Sequence, residues 1–153
     1  MKPYPHHYTA SASARAADNV MIGAAGLRPI ETAAPPEFGG SGGTWSPETL
    51  LCAAIADCFI LTFRAIARAA HFYWLSLDCR VEGVLEPRRD TAQFTRFATA
   101  TRLTIPPGAD PAKARLLLSR AERGCLISNS LRGERTLSAD VVTSVESASV
   151  AES

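Results

Sequence analysis

The sequence is dominated by one long apolar segment that follows a glycine-rich stretch. Between residues 50 and 67 the only charged side chains are Asp57 and Arg64. A helix that is apolar nearly all round must be buried on most of its sides. Arg64 and Arg68 interrupt the apolar run, which makes it a poor membrane span. We therefore predict a long buried helix over about residues 47–70, at the centre of the fold.

The residues before this segment favour a turn and then the start of a helix. Residues 35–43 include four glycines, and glycine permits backbone conformations that other residues resist. Ser46 is a good N-cap, Pro47 suits the first helical position, and Glu48 complements the positive end of a helix. The pattern predicts a glycine turn that leads directly into the central helix.

Length and charge exclude some classes of protein. A chain of 153 residues with 46% hydrophobic residues can bury a real core, and we expect a single domain over residues 1–153 with a frayed tail from about residue 148. The net charge of +1 gives no electrostatic basis for binding nucleic acid or an acidic membrane surface. The first residues lack the apolar core of a secretory signal, so we expect a cytoplasmic protein.

The remaining chain alternates between strand patterns and one amphipathic helix. Three short strands fill the first third, two long strands follow over residues 73–86 and 94–105, and a last strand covers residues 136–145. Asp110 and Gly124 bound a second helix. This order predicts an α+β domain with antiparallel pairing. A helix as apolar as the central one needs more cover than one small sheet, so we infer that a second subunit covers it.

The four cysteines are the candidate reactive groups. Without an export signal, reduced or redox-active thiols are more consistent with the sequence than a disulfide framework. The sequence contains no CxxC pair and no zinc-type spacing, so no metal and no other cofactor is predicted. Cys52 and Cys79 fit a packing role. Cys58 lies within the buried helix and remains open to either role, whereas Cys125 follows a helix-ending glycine and is expected to be more accessible.

Four segments of the chain resemble a known family. These are PPEFGGSGG, SPETLL, AAIADCF and GCLISNSLRG. They resemble the OsmC/Ohr family of organic hydroperoxide resistance and osmotically inducible proteins, over nearly the whole chain. The resemblance implies an intertwined α+β homodimer with antiparallel sheets around long central helices. It also implies thiol-dependent reduction of organic hydroperoxides.

The same resemblance assigns roles to individual residues. Cys58 matches the peroxidatic cysteine of the family, and Cys125 matches the resolving cysteine. Glu48 matches the glutamate of the P-E motif, which holds an arginine from the N-terminal strands. Arg15 is the nearest candidate for that arginine, although it is offset along the chain, and Arg28 is the second candidate. The resemblance further implies that an external dithiol, typically a lipoylated protein, regenerates the enzyme.

Spacing on the central helix adds a geometric expectation. Glu48 and Cys58 are ten residues apart, or about 15 Å along a helix axis, so they cannot meet within one subunit. If two such helices run antiparallel across a dimer interface, Glu48 of one can approach Cys58 of the other. Asp57 is expected to face away from Cys58, because adjacent helical positions diverge by about 100°. A set of large apolar residues is interpreted either as a substrate approach or as plain core: Leu51, Phe59, Phe63, Phe72 and Trp74.

Two other functions remain open at this point. The first is a binding module on the same fold that takes a small apolar ligand and has no efficient peroxidase cycle, which the offset of Arg15 favours. The second is a stress-protective dimer in which all four cysteines only pack. Fold alone does not decide between these functions.

Overall fold

The computed structural model describes residues 1–145, and the predicted frayed tail lies outside the described residues. The chain forms two compact units that divide between Leu51 and Cys52, inside the first long helix. The single domain predicted for residues 1–153 stays a prediction, since it concerns both units together.

The first unit contains the predicted three-stranded meander. Strands β1 (Ser11–Ser13), β2 (Val20–Gly23) and β3 (Ile30–Thr32) pair antiparallel in the order β1-β2-β3. Strands β1 and β3 are shorter than the sequence pattern indicates, whereas β2 has about the expected length. A 3-10 turn at Pro36–Phe38 then leads into the glycine segment.

The glycine turn forms as predicted, for two different steric reasons. Gly39, Gly42 and Gly43 have φ angles of 86°, 75° and 78°, in the left-handed region that L side chains rarely adopt. Gly40 is needed because of a close backbone approach: a Cβ atom there would lie 1.6 Å from the carbonyl oxygen of Ala34.

Helix α1 (Pro47–Ala69) starts at the predicted N-cap. The backbone N–H of Thr49 donates to Oγ of Ser46 at 3.2 Å, and the backbone N–H of Ser46 donates to Oγ1 of Thr49 at 2.9 Å. This reciprocal pair is a capping box that satisfies otherwise free helix donors. By length and apolar composition alone α1 could cross a membrane, a test that core helices of soluble proteins also pass.

The second unit is built on a three-stranded sheet of order β4-β5-β6. Strands β4 (Ser76–Arg88) and β5 (Thr91–Ile105) form the predicted antiparallel hairpin. Strand β6 (Glu134–Thr143) departs from the expected pattern, because it pairs parallel to β5. The reason is the connection: helix α2 (Pro111–Gly124) lies between β5 and β6 in the chain, and parallel neighbours need such a crossover.

One stripe of α1 and one face of α2 share a core with this sheet. From α1 and β5 it contains Phe59, Phe63, Ala67, Leu103 and Ile105, and from α2 it contains Ala114, Leu117, Leu118 and Ala121. The opposite side of α1 is open in the single chain, where Leu61 is 51% exposed. The prediction of a helix buried on most of its sides is therefore met on one stripe only.

A short junction follows α2 and positions Cys125. The backbone N–H of Ala112 donates to Oδ1 of Asp110 at 2.9 Å, which confirms the predicted start of α2. Cys125 ends α2 and begins a one-turn helix α3 (Leu126–Asn129), where the sequence predicts only a polar turn. At this junction the Cys125 side chain is buried inside the protein.

Candidate functional site

Cys58 lies on α1 at the floor of an open cleft of about 600 Å³. The walls come from α1 on one side and from the α2–α3 junction on the other. They are mainly apolar and include Ala54, Leu61, Ala65, Leu126 and Ile127. A half-buried thiol is thus presented to a space that favours apolar molecules.

Cys125 is fully buried, at 0% exposure, so the expectation of an accessible thiol is wrong. The turn of α3 directs its side chain towards α1 instead of solvent. The hydroxyl of Ser128 donates to Sγ of Cys125 at 3.4 Å, and this Sγ lies 3.9 Å from the backbone oxygen of Ile55. The resolving role that the family resemblance implies thus falls to a thiol packed against the peroxidatic helix.

The structure brings Cys58 and Cys125 together. The thiol of Cys125 donates a hydrogen bond to the sulfur of Cys58. Both cysteines are free thiols. Two sulfur atoms from distant parts of the chain are therefore within hydrogen-bonding reach of each other.

The surroundings of Cys58 favour its thiolate. Burial alone would raise the pKa of Cys58, because it disfavours the charged form. Four donors outweigh burial and lower the pKa below its usual value. In decreasing order they are the backbone N–H of Ile127, the thiol of Cys125, the hydroxyl of Thr62 (3.9 Å from Sγ) and the backbone N–H of Leu126.

The surroundings of Cys125 have the opposite effect. Burial raises the pKa of the Cys125 thiol, and the neighbouring Cys58 raises it further, while hydrogen bonds from Ser128 only partly compensate. The two pKa values thus move apart, so that Cys58 has the larger fraction of thiolate and is the better nucleophile, while Cys125 holds its proton more tightly.

The other two cysteines fit the packing role that the sequence predicts. Burial raises the pKa of Cys52, whose sulfur faces the backbone of Gly83. Burial raises the pKa of Cys79 to about 11, with smaller contributions from the neighbouring Cys125 and Glu122. Among residues 1–145 no group of three or more His, Cys, Asp or Glu residues is arranged to hold a metal ion.

The structure decides two sequence expectations about the surroundings of Cys58. Asp57 lines the same cleft as Cys58, so the expectation that it faces away is wrong. Of the two interpretations of the large apolar residues, plain core is the correct one for Phe59 and Phe63, which lie on the stripe of α1 that packs into the core, where Phe63 meets Trp74 edge-on at 5.3 Å. Smaller side chains on the next stripe line the cleft instead.

Glu48, Arg15 and Arg28 belong to the first unit. Glu48 lies in the first turn of α1, and its Oε2 atom is buried without a hydrogen-bond partner among residues 1–145. Arg15 is exposed in the turn after β1, where it lines a polar hollow with Asp18, and Arg28 is exposed before β3. The roles that the family resemblance gives to Glu48 and Arg15 stay predictions.

Thr62 and Ser128 also contact the two sulfurs, and sequence reasoning missed both. Each has a local signal that points to it. Thr62 is four residues after Cys58, so both lie on one face of α1. Ser128 is three residues after Cys125, the N-cap of α3, which is the spacing of a capping interaction.

Comparison with known proteins gives a matching family model and a curated relative. The sequence model described as OsmC-like protein matches residues 40–139. Peroxiredoxin OsmC of Escherichia coli (strain K12) is 30% identical over 100 residues, which cover 65% of this chain and 68% of that protein.

Two solved structures have the same fold. An OsmC-like protein of unknown function from Vibrio cholerae superposes with a TM-score of 0.80 at 17% identity, over 88% of this chain and 99% of that one. An organic hydroperoxide resistance protein OsmC from Legionella pneumophila gives a TM-score of 0.71 at 26% identity, over 90% of this chain and 99% of that one.

Proposed function

The chain belongs to the OsmC-like protein family, and from this premise we propose that it is a thiol-dependent peroxidase that reduces organic hydroperoxides to alcohols. One observation carries the proposal: a thiol with a lowered pKa contacts a second thiol with a raised pKa, at the floor of an apolar cleft. The names of the relatives from Escherichia coli and Legionella pneumophila support the same reaction class.

In the first step the Cys58 thiolate attacks the terminal oxygen of the hydroperoxide. The sulfur–oxygen bond forms as the O–O bond breaks, which gives Cys58 sulfenic acid and an alkoxide that takes a proton to become the alcohol. A thiolate is required because the thiol is a poor nucleophile. The N–H groups of Ile127 and Leu126 lower the pKa of Cys58 and so increase the fraction of thiolate before attack.

In the second step the sulfur of Cys125 attacks the sulfenic sulfur of Cys58. The disulfide forms, and the departing hydroxide combines with the Cys125 proton to give water. Two thiols and one hydroperoxide thus yield one disulfide, one alcohol and one water. Rapid disulfide formation also protects Cys58 from further oxidation to sulfinic acid.

The lining of the cleft supports a preference for organic hydroperoxides over hydrogen peroxide. Leu61, Leu126 and Ile127 offer apolar surface next to Cys58. Burial of an alkyl group there is favourable by about 25 cal/mol for each Å² removed from water, a gain that hydrogen peroxide cannot obtain.

An external dithiol completes the cycle by reducing the Cys58–Cys125 disulfide and becoming oxidised itself. In the family that this chain resembles, the dithiol is typically a lipoylated protein, and we propose the same class here. We also place the protein in the cytoplasm, where reductants keep thiols available for such a cycle.

We further propose that the active protein is a homodimer with a composite site. The open side of α1 beside Leu61 is the surface that a second subunit would cover. Glu48 of one subunit would then hold Arg15, or Arg28 in its place, near Cys58 of the other. An arginine there would stabilise the thiolate further and orient the hydroperoxide.

The direct test is consumption of tert-butyl hydroperoxide with dithiothreitol as the reductant. We expect wild type to consume the peroxide and Cys58→Ser to lose the activity, whereas Cys52→Ser, a matched control on the same helix, keeps it. Equal rates of peroxide consumption by wild type and Cys58→Ser would rule out the proposed peroxidase activity.

The alternative is a small-ligand-binding or stress-protective dimer without efficient turnover. The offset of Arg15 along the chain from the position that the resemblance implies favours the ligand-binding form. Under this alternative, wild type binds an apolar ligand in the Cys58 cleft but consumes peroxide no faster than Cys58→Ser.

A further inference from the structure

We propose that Arg135 is a positioning residue that holds the Cys125-bearing junction against Cys58, an inference that rests on the proposed function. Arg135 is the second residue of β6 and lies outside the segments that carry the family resemblance. It does not contact either sulfur. Its role follows from what its side chain ties together.

All three guanidinium nitrogens of Arg135 are engaged. Nε lies 2.8 Å from Oε1 of Glu122, and Nη1 donates to Oδ1 of Asn129 at 2.6 Å. Nη2 donates to the backbone oxygen of Glu122. The planar fork of arginine can serve three acceptors at once, which the single ammonium of lysine cannot reproduce.

The two partners of Arg135 lie on either side of Cys125. Glu122 belongs to the last turn of α2, and Asn129 ends α3. Asn129 is itself fixed to the junction by two hydrogen bonds. Its Nδ2 donates to the backbone oxygen of Arg123 at 3.0 Å, and its backbone N–H donates to the backbone oxygen of Cys125 at 2.9 Å. One side chain therefore spans the whole α2–α3 junction.

The anchor of this side chain is the sheet. Arg135 pairs with Phe97 in the parallel ladder between β6 and the central strand β5, and Phe97 is only 3% exposed. The backbone of Arg135 is thus held to the central strand of the sheet, and its side chain links that strand pair to the junction.

The ion pair is partly shielded from water. The side chains of Arg135 and Glu122 are 25% and 15% exposed, and Oε2 of Glu122 is buried without a hydrogen-bond partner among residues 1–145. Loss of Arg135 would leave this carboxylate without its cation in a place that water reaches poorly. The junction would then have to move to expose Glu122.

Such a movement would act directly on the chemistry. The junction carries the Cys125 sulfur and the N–H groups of Leu126 and Ile127, all of which contact Cys58. A disulfide needs a narrow range of sulfur–sulfur distance and dihedral angle. Displacement of the junction would therefore slow disulfide formation more than it slows attack on the peroxide.

The test separates the two steps. Five reduced proteins are mixed with excess tert-butyl hydroperoxide without reductant: wild type, Arg135→Gln, Arg135→Lys, Asn129→Ala and Arg120→Gln. For each protein the pH is kept above the pKa of its own Cys58. Timed quenching and peptide mass spectrometry measure sulfenic acid, disulfide and sulfinic acid. Arg120 is an exposed arginine of α2 and provides the matched control.

We expect Arg135→Gln to form sulfenic acid at the wild-type rate but the disulfide about 10- to 100-fold more slowly, the cost of a small misplacement of reacting groups. Sulfinic acid then accumulates at Cys58. Arg135→Lys and Asn129→Ala form the disulfide at rates between those of wild type and Arg135→Gln, and Arg120→Gln matches wild type. A wild-type disulfide rate in Arg135→Gln overturns the inference. If that variant does not fold, wild-type rates in both Arg135→Lys and Asn129→Ala overturn it.

A second readout needs no peroxide. The pKa of Cys58, taken from the pH dependence of its alkylation, should rise in Arg135→Gln and stay unchanged in Arg120→Gln. If wild type forms no sulfenic acid, the proposed function fails, and this pKa still decides the role of Arg135: an unchanged value in Arg135→Gln contradicts it.

Discussion

Cys58 and Cys125 are the same chemical group in two environments, and their pKa values move in opposite directions. Hydrogen-bond donors surround Cys58, whereas Cys125 is enclosed and lies beside a thiolate. Because of this difference, Cys58 is the nucleophile towards the peroxide, and Cys125 reacts only after Cys58 sulfenic acid has formed. At the scale of single residues, the division of labour therefore comes from local donors and burial.

The hydrogen bond between the two thiols leads to a prediction about Cys125. Cys125→Ala removes a donor to the Cys58 thiolate, so the pKa of Cys58 should rise and its alkylation at neutral pH should slow several-fold. Cys125→Ser keeps a donor at this position and should change the rate less. Iodoacetamide labelling across pH, followed on the Cys58 peptide, measures both, and equal rates in the two variants would contradict the hydrogen bond.

The position of Asp57 leads to a prediction about specificity. Asp57 lines the cleft together with Cys58, and its negative charge should repel hydroperoxides that carry a negative charge, such as those of fatty acids. Asp57→Asn should raise kcat/KM for a fatty-acid hydroperoxide by about two- to fivefold, the effect of one exposed charge in water. The rate with neutral tert-butyl hydroperoxide should not change.

Asp78→Asn is the control for this comparison, because Asp78 is an exposed carboxylate on β4. A fatty-acid hydroperoxide that reacts equally fast with wild type and Asp57→Asn would show that Asp57 does not select against charge.

At the scale of elements, local signals in the sequence predicted the helices and the long hairpin. Ser46 and Asp110 cap α1 and α2 as expected, because capping depends only on residues within one turn. The parallel direction of β6 could not be predicted locally, since it depends on how α2 crosses the sheet. The buried position of Cys125 was missed for the same reason: packing of α3 against α1 creates it.

The composition of the cleft also depends on packing. The sequence shows that α1 is apolar nearly all round, but only the folded core decides which stripe faces the sheet. Phe59 and Phe63 lie on that stripe, and smaller residues such as Ala54 and Leu61 line the cleft. Residue type alone could not separate the two stripes.

The glycine turn before α1 gives a prediction about stability. Gly40→Ala places a Cβ atom on top of the Ala34 carbonyl oxygen, and backbone atoms cannot move aside cheaply. We expect the free energy of unfolding to fall by about 2–3 kcal/mol, at the high end for overpacking. Urea unfolding at one protein concentration, followed by circular dichroism, measures the loss.

Gly23→Ala is the matched control in the same unit, because nothing lies within 4 Å of a Cβ at that position. It should be as stable as wild type or slightly more so, since alanine restricts the unfolded chain. Equal stability of Gly40→Ala and Gly23→Ala would contradict the close approach at Gly40.

At the scale of the whole molecule, the proposed composite site makes a specific prediction about mixed dimers. Glu48→Gln and Cys58→Ser should each be inactive alone. When the two are co-expressed with different tags and the hybrid is purified, one site contains Cys58 of the first subunit and Glu48 of the second, and about half of the wild-type activity per dimer should return. Activity that does not return would contradict a site shared between subunits.

The central claim is that Cys58 and Cys125 form one redox pair. Reduced protein is treated with one equivalent of tert-butyl hydroperoxide, and thiols are counted and then mapped by peptide mass spectrometry. The claim predicts the loss of two thiols and a single disulfide between Cys58 and Cys125, with Cys52 and Cys79 still reduced. Loss of no thiols, or a disulfide that includes Cys52 or Cys79 in place of Cys125, would contradict it.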